Sequence, residues 1–290
     1  MTSLPERAGR RCHSALNALH STLYFSPLLG KELAPYGIDD SHAVNLAVRA
    51  SPLGAASAGT VTATFYNYNH ALVARFVPEV WDSASPATVL AARLRAVDAT
   101  LRNLLGEKAV ASEEMAEAAG LALTAAEGCT RSGRPLYAAN ADLPVPPVAQ
   151  APHLTLWHAA TLLREHRGDG HITALQNAEL DALEALVSHT ASGRGMNPTW
   201  VLRTRGYNTQ DWSAAQQRLT ERGLLGDDGE LTEQGVELRK TLEEETDRLD
   251  RRPYERLGAE GVARLTELAG GFARAAAEAG AYPADLIGKG

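Results

Sequence analysis

Five of the chain's 14 prolines fall within Gly133–Pro152, and that clustering limits the fold more than any other stretch. Proline removes a backbone donor and clashes with the preceding helical turn, so neither a helix nor a central strand is expected there. On both sides apolar residues recur every three or four positions, which predicts helices. The chain reads as mainly α: a helical half over 1–132 that could itself be winged-helix-like, a proline-rich linker over 133–151, and a winged-helix-like half with C-terminal helices over 152–290. The linker could equally be a loop wrapped over a site.

The helical signals are local and specific. His13 to Leu23 carries Leu16, Leu19 and Leu23 on one stripe, and Pro27 ends it. Ala58 to Phe76 is ambiguous: Thr60, Val61, Thr62 and Thr64 favour strand, whereas Tyr66, Asn69, Val73 and Val77 follow a helical stripe, and one helix is the preferred reading. Ser85 and Pro86 form a cap and first turn for Val89, Leu90, Leu94, Val97, Leu101 and Leu104, with Gly106 as the stop. Ser112 opens a helix whose face of Ala118, Ala119, Ala122 and Ala125 suits close packing.

Composition narrows the function classes. With 28 basic against 35 acidic residues the formal charge is −7, so the overall field does not attract polyanions and any nucleic-acid contact must be a local patch. Two cysteines give no disulfide framework or zinc pattern, no leader-like apolar core follows the N-terminus, and no run is long enough to span a membrane. A cytoplasmic location is expected. No GxGxxG or GxxxxGK loop and no GxSxG elbow occurs, so no nucleotide cofactor and no serine nucleophile is expected.

The segment RLTERGLLGDDGELTEQGVELRKTLEEETDRL resembles the recognition helix, wing and following helix of winged helix-turn-helix proteins, especially multidrug-responsive regulators. The resemblance implies that RGLL ends the recognition helix, that Asp227, Asp228 and Gly229 turn a short β-hairpin wing, and that LTEQG caps the next helix. Independently, Leu225 and Leu231 flank a polar turn and can set both hairpin legs on the core. The segments APYGI at Ala34, ASPLG at Ala50, TFYNYNH at Thr64, GRPLYAAN at Gly133, PHLTLWHAATLLREHRGDGH at Pro152 and RGYNTQDW at Arg205 resemble a family of actinobacterial proteins known for their helix-turn-helix content. That likeness implies a fold and no particular chemistry.

Between Val201 and Gly235 four arginines face six carboxylates, and the expected wing is GDDGE. Such a turn repels phosphates, and Gln216 and Gln217 alone give little affinity to direct, so DNA is disfavoured as a partner. The final apolar stripe, Val262, Leu265, Leu268, Ala269 and Phe272, could pack on the chain itself or form a homodimer.

Pro152–His171 is the richest stretch in polar chemistry, with four of the nine histidines, two arginines, Glu165, Asp169 and Trp157. His158 and Glu165 lie seven residues apart on nearly one helical face, and Trp157 and Arg164 share the adjacent one. An imidazole and a carboxylate on one face can do acid–base work if they open onto a pocket. The competing reading is a buried His158 bonded to a carbonyl, with Arg164 and Glu165 as an ordinary ion pair. His166, Asp169 and His171 surround a glycine-rich turn, but the adjacent arginines disfavour a cation; Asp169 as cap of the next helix is preferred, and no metal is expected. In the first half, Tyr66, Asn69 and His70 imply a polar network or a ligand that satisfies them, and Arg75 could neutralise an acidic group.

The function expected from these residues is binding of a small acidic or aromatic molecule on a winged-helix scaffold, in a pocket between the halves. Its ligand-binding residues would be Tyr66, Asn69, His70, Arg75, Trp157 and Arg164. The alternatives are a cofactor-independent enzyme using His158 and Glu165, and a winged-helix transcriptional regulator.

Overall fold

The computed structural model describes residues 4–286. Within them the chain forms helices α1 (Ala8–Ser21), α2 (Pro27–Leu33), α3 (Ser41–Ala50), α4 (Ala58–Phe65), α5 (His70–Phe76), α6 (Glu79–Ser83), α7 (Pro86–Leu105), α8 (Glu107–Val110) and α9 (Glu113–Ala126) in the first half. There follow α10 (Pro135–Ala141), α11 (Pro152–Asn177), α12 (Ala182–Ala191), α13 (Pro198–Arg205), α14 (Thr209–Glu221), α15 (Glu233–Leu249) and α16 (Arg251–Glu278). No helix is long and apolar enough to cross a membrane among these residues.

Side-chain caps set many of the boundaries. Ser85 Oγ accepts from Thr88 N at 3.1 Å and Ser112 Oγ from Met115 N at 3.1 Å, as the sequence predicts for α7 and α9. The alanine face of α9 is fully buried and packs closely on α11 and α16. The stripe of α16 is enclosed by the chain itself: Val262, Leu265, Leu268 and Ala269 are buried, chiefly against α1 and α9.

Two hydrophobic cores result. The larger gathers α1, α3, α7, α9, α16 and the first part of α11; the smaller joins Ala174 and Leu175 at the end of α11 to α12, α14 and α15. α11 therefore runs through both, and it is buried over most of its length, with apolar and polar side chains mixed around it because different stretches face different neighbours.

Four expectations are corrected. The predicted helix over 58–76 is two helices, since Tyr66 adopts a left-handed backbone (φ 65°) and the Asn69 carboxamide caps α5 through Ala71 N at 2.9 Å. The proline-rich stretch contains α10, whose Leu136, Tyr137 and Asn140 are buried. RGDGH is no turn: α11 continues through it, and Gly170 serves close packing, since a Cβ there would meet Arg134 Nη1 at 2.7 Å. Arg134 uses that space to donate to the carbonyls of His166 and, at 2.7 Å, Leu249. Asp169 caps α10, accepting from Tyr137 N at 2.9 Å, rather than a following helix.

The fourth correction concerns the wing, and with it the winged-helix scaffold and the multidrug-regulator module. Among the described residues no β-strand forms; Leu225 and Leu231 make one isolated antiparallel bridge. Gly226 N donates to Glu230 O at 2.8 Å and Thr232 N to Leu224 O at 3.2 Å, after which the chain is helical again. The hairpin legs are cut short because α14 ends at Arg222 and Thr232 already caps α15 through Gly235 N at 3.1 Å.

Candidate functional site

The residues after Leu180 build a three-helix unit. Asp181 and Glu184 form a capping box on α12, and Asn208 and Asp211 form another on α14, each satisfying backbone donors that a bare helix start leaves open. Gly206 makes the turn between α13 and α14 with φ 77°, where a Cβ would also strike Leu72 at 2.5 Å. Ala215 and Leu219 are fully buried beneath α14, Leu219 contributing about 2 kcal/mol by area. Glu184, itself buried, then fixes the rotation of α14 by accepting from Arg218 Nε and Arg222 Nη1, both at 3.0 Å.

This packing leaves one face of α14 outward. Thr209, Gln210, Ser213, Ala214 and Gln217 are exposed there at helical spacing, and one turn on the exposed Glu221 accepts from Gln217 Nε2 at 3.0 Å. Of the two glutamines singled out in the sequence, Gln217 lies on this face and Gln216 is half-buried. On neighbouring α13, Arg203 is exposed with its guanidinium 3.9 Å from the Trp200 ring centroid. Beyond α14 the exposed Asp227 and Asp228 give the turn a negative surface.

Between this unit and the larger core lies a cavity of about 1100 Å³. Nine arginine and lysine side chains line it against four carboxylates, in a chain whose net charge is −7. Arg49 lies with its guanidinium 4.4 Å from the Phe65 ring centroid, and that of Arg205 is 4.6 Å from Tyr68. Burial, then the repulsion of Arg49 and Arg164, lowers the pKa of Arg205. His13, His171 and His189 also line the cavity; burial drives His13 well below the usual imidazole range, and His171 and His189 to about 4. They are neutral at pH 7, so the positive charge here belongs to arginine and lysine.

The sequence-predicted site residues separate. Tyr66, Arg164 and Glu165 line the cavity. Tyr66 Oη donates to the carbonyl of Leu180, while Arg164 donates to Asn17 Oδ1 at 3.1 Å and pairs with Glu165. Trp157 lies in the core, stacked on His20 at 4.6 Å and donating to the His20 carbonyl at 3.2 Å. His158 is buried apart from the cavity, its pKa lowered to about 4 by burial and then by Arg93, and its Nε2 has no hydrogen-bond partner among the described residues. Asn69 is the cap of α5, exposed His70 bonds Thr62 Oγ1 at 2.9 Å, and Arg75 packs over Phe76 at 5.1 Å. Sequence reasoning missed Arg49, Arg205 and Arg239. The one signal for Arg49 is a charge inside the otherwise apolar run of α3; nothing local marks the other two.

A family model described as a helix-turn-helix family matches residues 9–283. The chain belongs to that family. No curated protein and no solved structure gives a match. Membership corrects the expectation that DNA is disfavoured, which rested on the charge of an assumed wing. A helix-turn-helix contacts DNA through its second helix.

Proposed function

We propose that the protein binds DNA, with α14 as the recognition helix of the unit α12–α13–α14. The observation that carries the reading is the outward face of α14: Gln210, Ser213 and Gln217 are exposed at i, i+3 and i+7, while Ala215 and Leu219 are buried on the opposite face and Arg218 and Arg222 pair at the flank with Glu184 of α12. Glutamine and serine can donate to and accept from base edges in the major groove. Arg203, exposed on α13, supplies a cation for the flanking phosphates. Asp227 and Asp228, exposed beyond the C-terminal end of α14, add no phosphate contact of the kind a basic wing makes. With a net charge of −7, affinity depends on this local surface and falls steeply with salt. A cytoplasmic location belongs to the same reading, in keeping with the free Cys12 and Cys129.

The test is selection from a random-sequence duplex library at low salt, followed by anisotropy titration of the enriched sequences. Enrichment of a common motif, with affinity reduced at least tenfold in Gln210→Ala/Gln217→Ala, is expected. Failure to enrich any motif would overturn the reading.

A further inference from the structure

The cavity between the helix-turn-helix unit and the larger core holds buried cations that the fold leaves unsatisfied. Arg49 Nε, Arg205 Nε and Arg239 Nη1 are buried nitrogens without a hydrogen-bond partner among the described residues. Arg239 as a whole is only 7% exposed. Arg49 makes one long bond to Tyr68 Oη, 3.4 Å, and Arg205 reaches only Thr204 and the Met196 sulfur. Of the carboxylates lining the cavity, Glu165 is already paired with Arg164 and Glu243 with Arg167. Burying cations beside one another with unfilled donors is costly, and a chain with more acids than bases has no general reason to gather them.

An oxyanion removes that cost. Guanidinium groups take phosphate and carboxylate through paired, planar N–H bonds, and stacking on Phe65 and Tyr68 holds Arg49 and Arg205 in place beforehand. At about 1100 Å³ the cavity is far larger than one tetrahedral ion, and its walls also carry Ile172, Leu175 and Leu186. We propose that this cavity is a binding site for a small organic anion carrying at least two negative charges, as phosphate or carboxylate, with its charged end between Arg49 and Arg205 and its remainder toward Arg239 and the apolar wall. The site does not depend on the DNA reading, since its chemistry is complete within the cavity.

Calorimetric titration of the full chain with inorganic pyrophosphate and with citrate, at constant ionic strength, tests it. Saturable binding of at least one is expected, and the tighter of the two distinguishes phosphate from carboxylate recognition. Arg49→Gln and Arg205→Gln should each weaken it at least tenfold, whereas Arg75→Gln, outside the cavity, should leave it unchanged. Circular dichroism checks that each variant is folded, and Arg239→Gln, on the opposite wall, serves if either is not. Absence of saturable binding by both probes, or equal binding by folded cavity variants and the parent, would overturn the proposal.

Discussion

His166 Nδ1 lies 2.6 Å from Asp250 Oδ1, and both residues are 1% exposed, so a buried hydrogen bond ties the middle of α11 to the junction of α15 and α16. Burial raises the Asp250 pKa, opposed by His166, Arg167 and Arg134. Removing the carboxylate leaves the imidazole and Arg134 facing an empty buried site. Asp250→Ala is expected to cost about 3–5 kcal/mol in urea unfolding. A loss within error of zero would mean that the pair does not hold the helices together.

Acid should unfold the protein through its histidines. His158, His171 and His189 have folded-state pKa values of about 4, each lowered first by burial. The unfolded chain binds protons near pH 6.5 and the folded chain does not, so stability is full above about 6.5 and falls as pH drops toward 4. Burial holds His13 and His20 well below the usual imidazole range too, so the slope should approach about five protons, read from the pH dependence of urea unfolding.

Asp169 works in the other direction. Burial raises its pKa to about 7, against the hydrogen bond from Tyr137 N. Its contribution is present at low pH and declines as pH rises through 7. Asp169→Asn keeps an acceptor for Tyr137 N but cannot ionise, so the variant should gain Tm relative to the parent at pH 8 and not at pH 4. Thermal scans at both values decide it; parallel behaviour would contradict the assignment.

Gly235 sits where α15 begins against the end of α14. A Cβ there would fall 2.1 Å from the Leu224 carbonyl oxygen. Gly235→Ala should destabilise the helix-turn-helix unit by about 1–3 kcal/mol, with faster hydrogen exchange in α14 than in α9.

Glu184 ties Arg218 and Arg222 of α14 to α12 and closes its own capping box through Asp181 N at 3.1 Å. Glu184→Ala should cost about 1–3 kcal/mol and weaken DNA binding although the residue faces away from the duplex. Unchanged DNA affinity in a destabilised variant would show that the rotation of α14 is not set here.

Local signals were readable wherever a few adjacent residues decide the outcome. Ser85 with Pro86, Ser112 and Thr232 cap helices as their sequences indicate, because a cap involves a side chain and a donor two or three residues away. Tyr66 and RGDGH misled for the opposite reason. The break at Tyr66 accompanies its bond to the distant Leu180 carbonyl, and Gly170 is small because Arg134, from α10, passes across it. The DDG turn between Leu225 and Leu231 was correctly placed, but two nearby helix ends decided that it would close with one bridge rather than a wing.

By itself the sequence determined a mainly helical chain, many of its capped helix starts, and the polar weight of Pro152–His171, since helical periodicity and capping are short-range properties of the backbone. Only the tertiary structure decided what those histidines and arginines face. It set His158 in the core and His166 against Asp250, and it drew Arg49 from α3, Arg164 from α11, Arg205 from α13 and Arg239 from α15 around one cavity. Such a gathering depends on how helices distant in sequence pack, which no spacing within a single helix records.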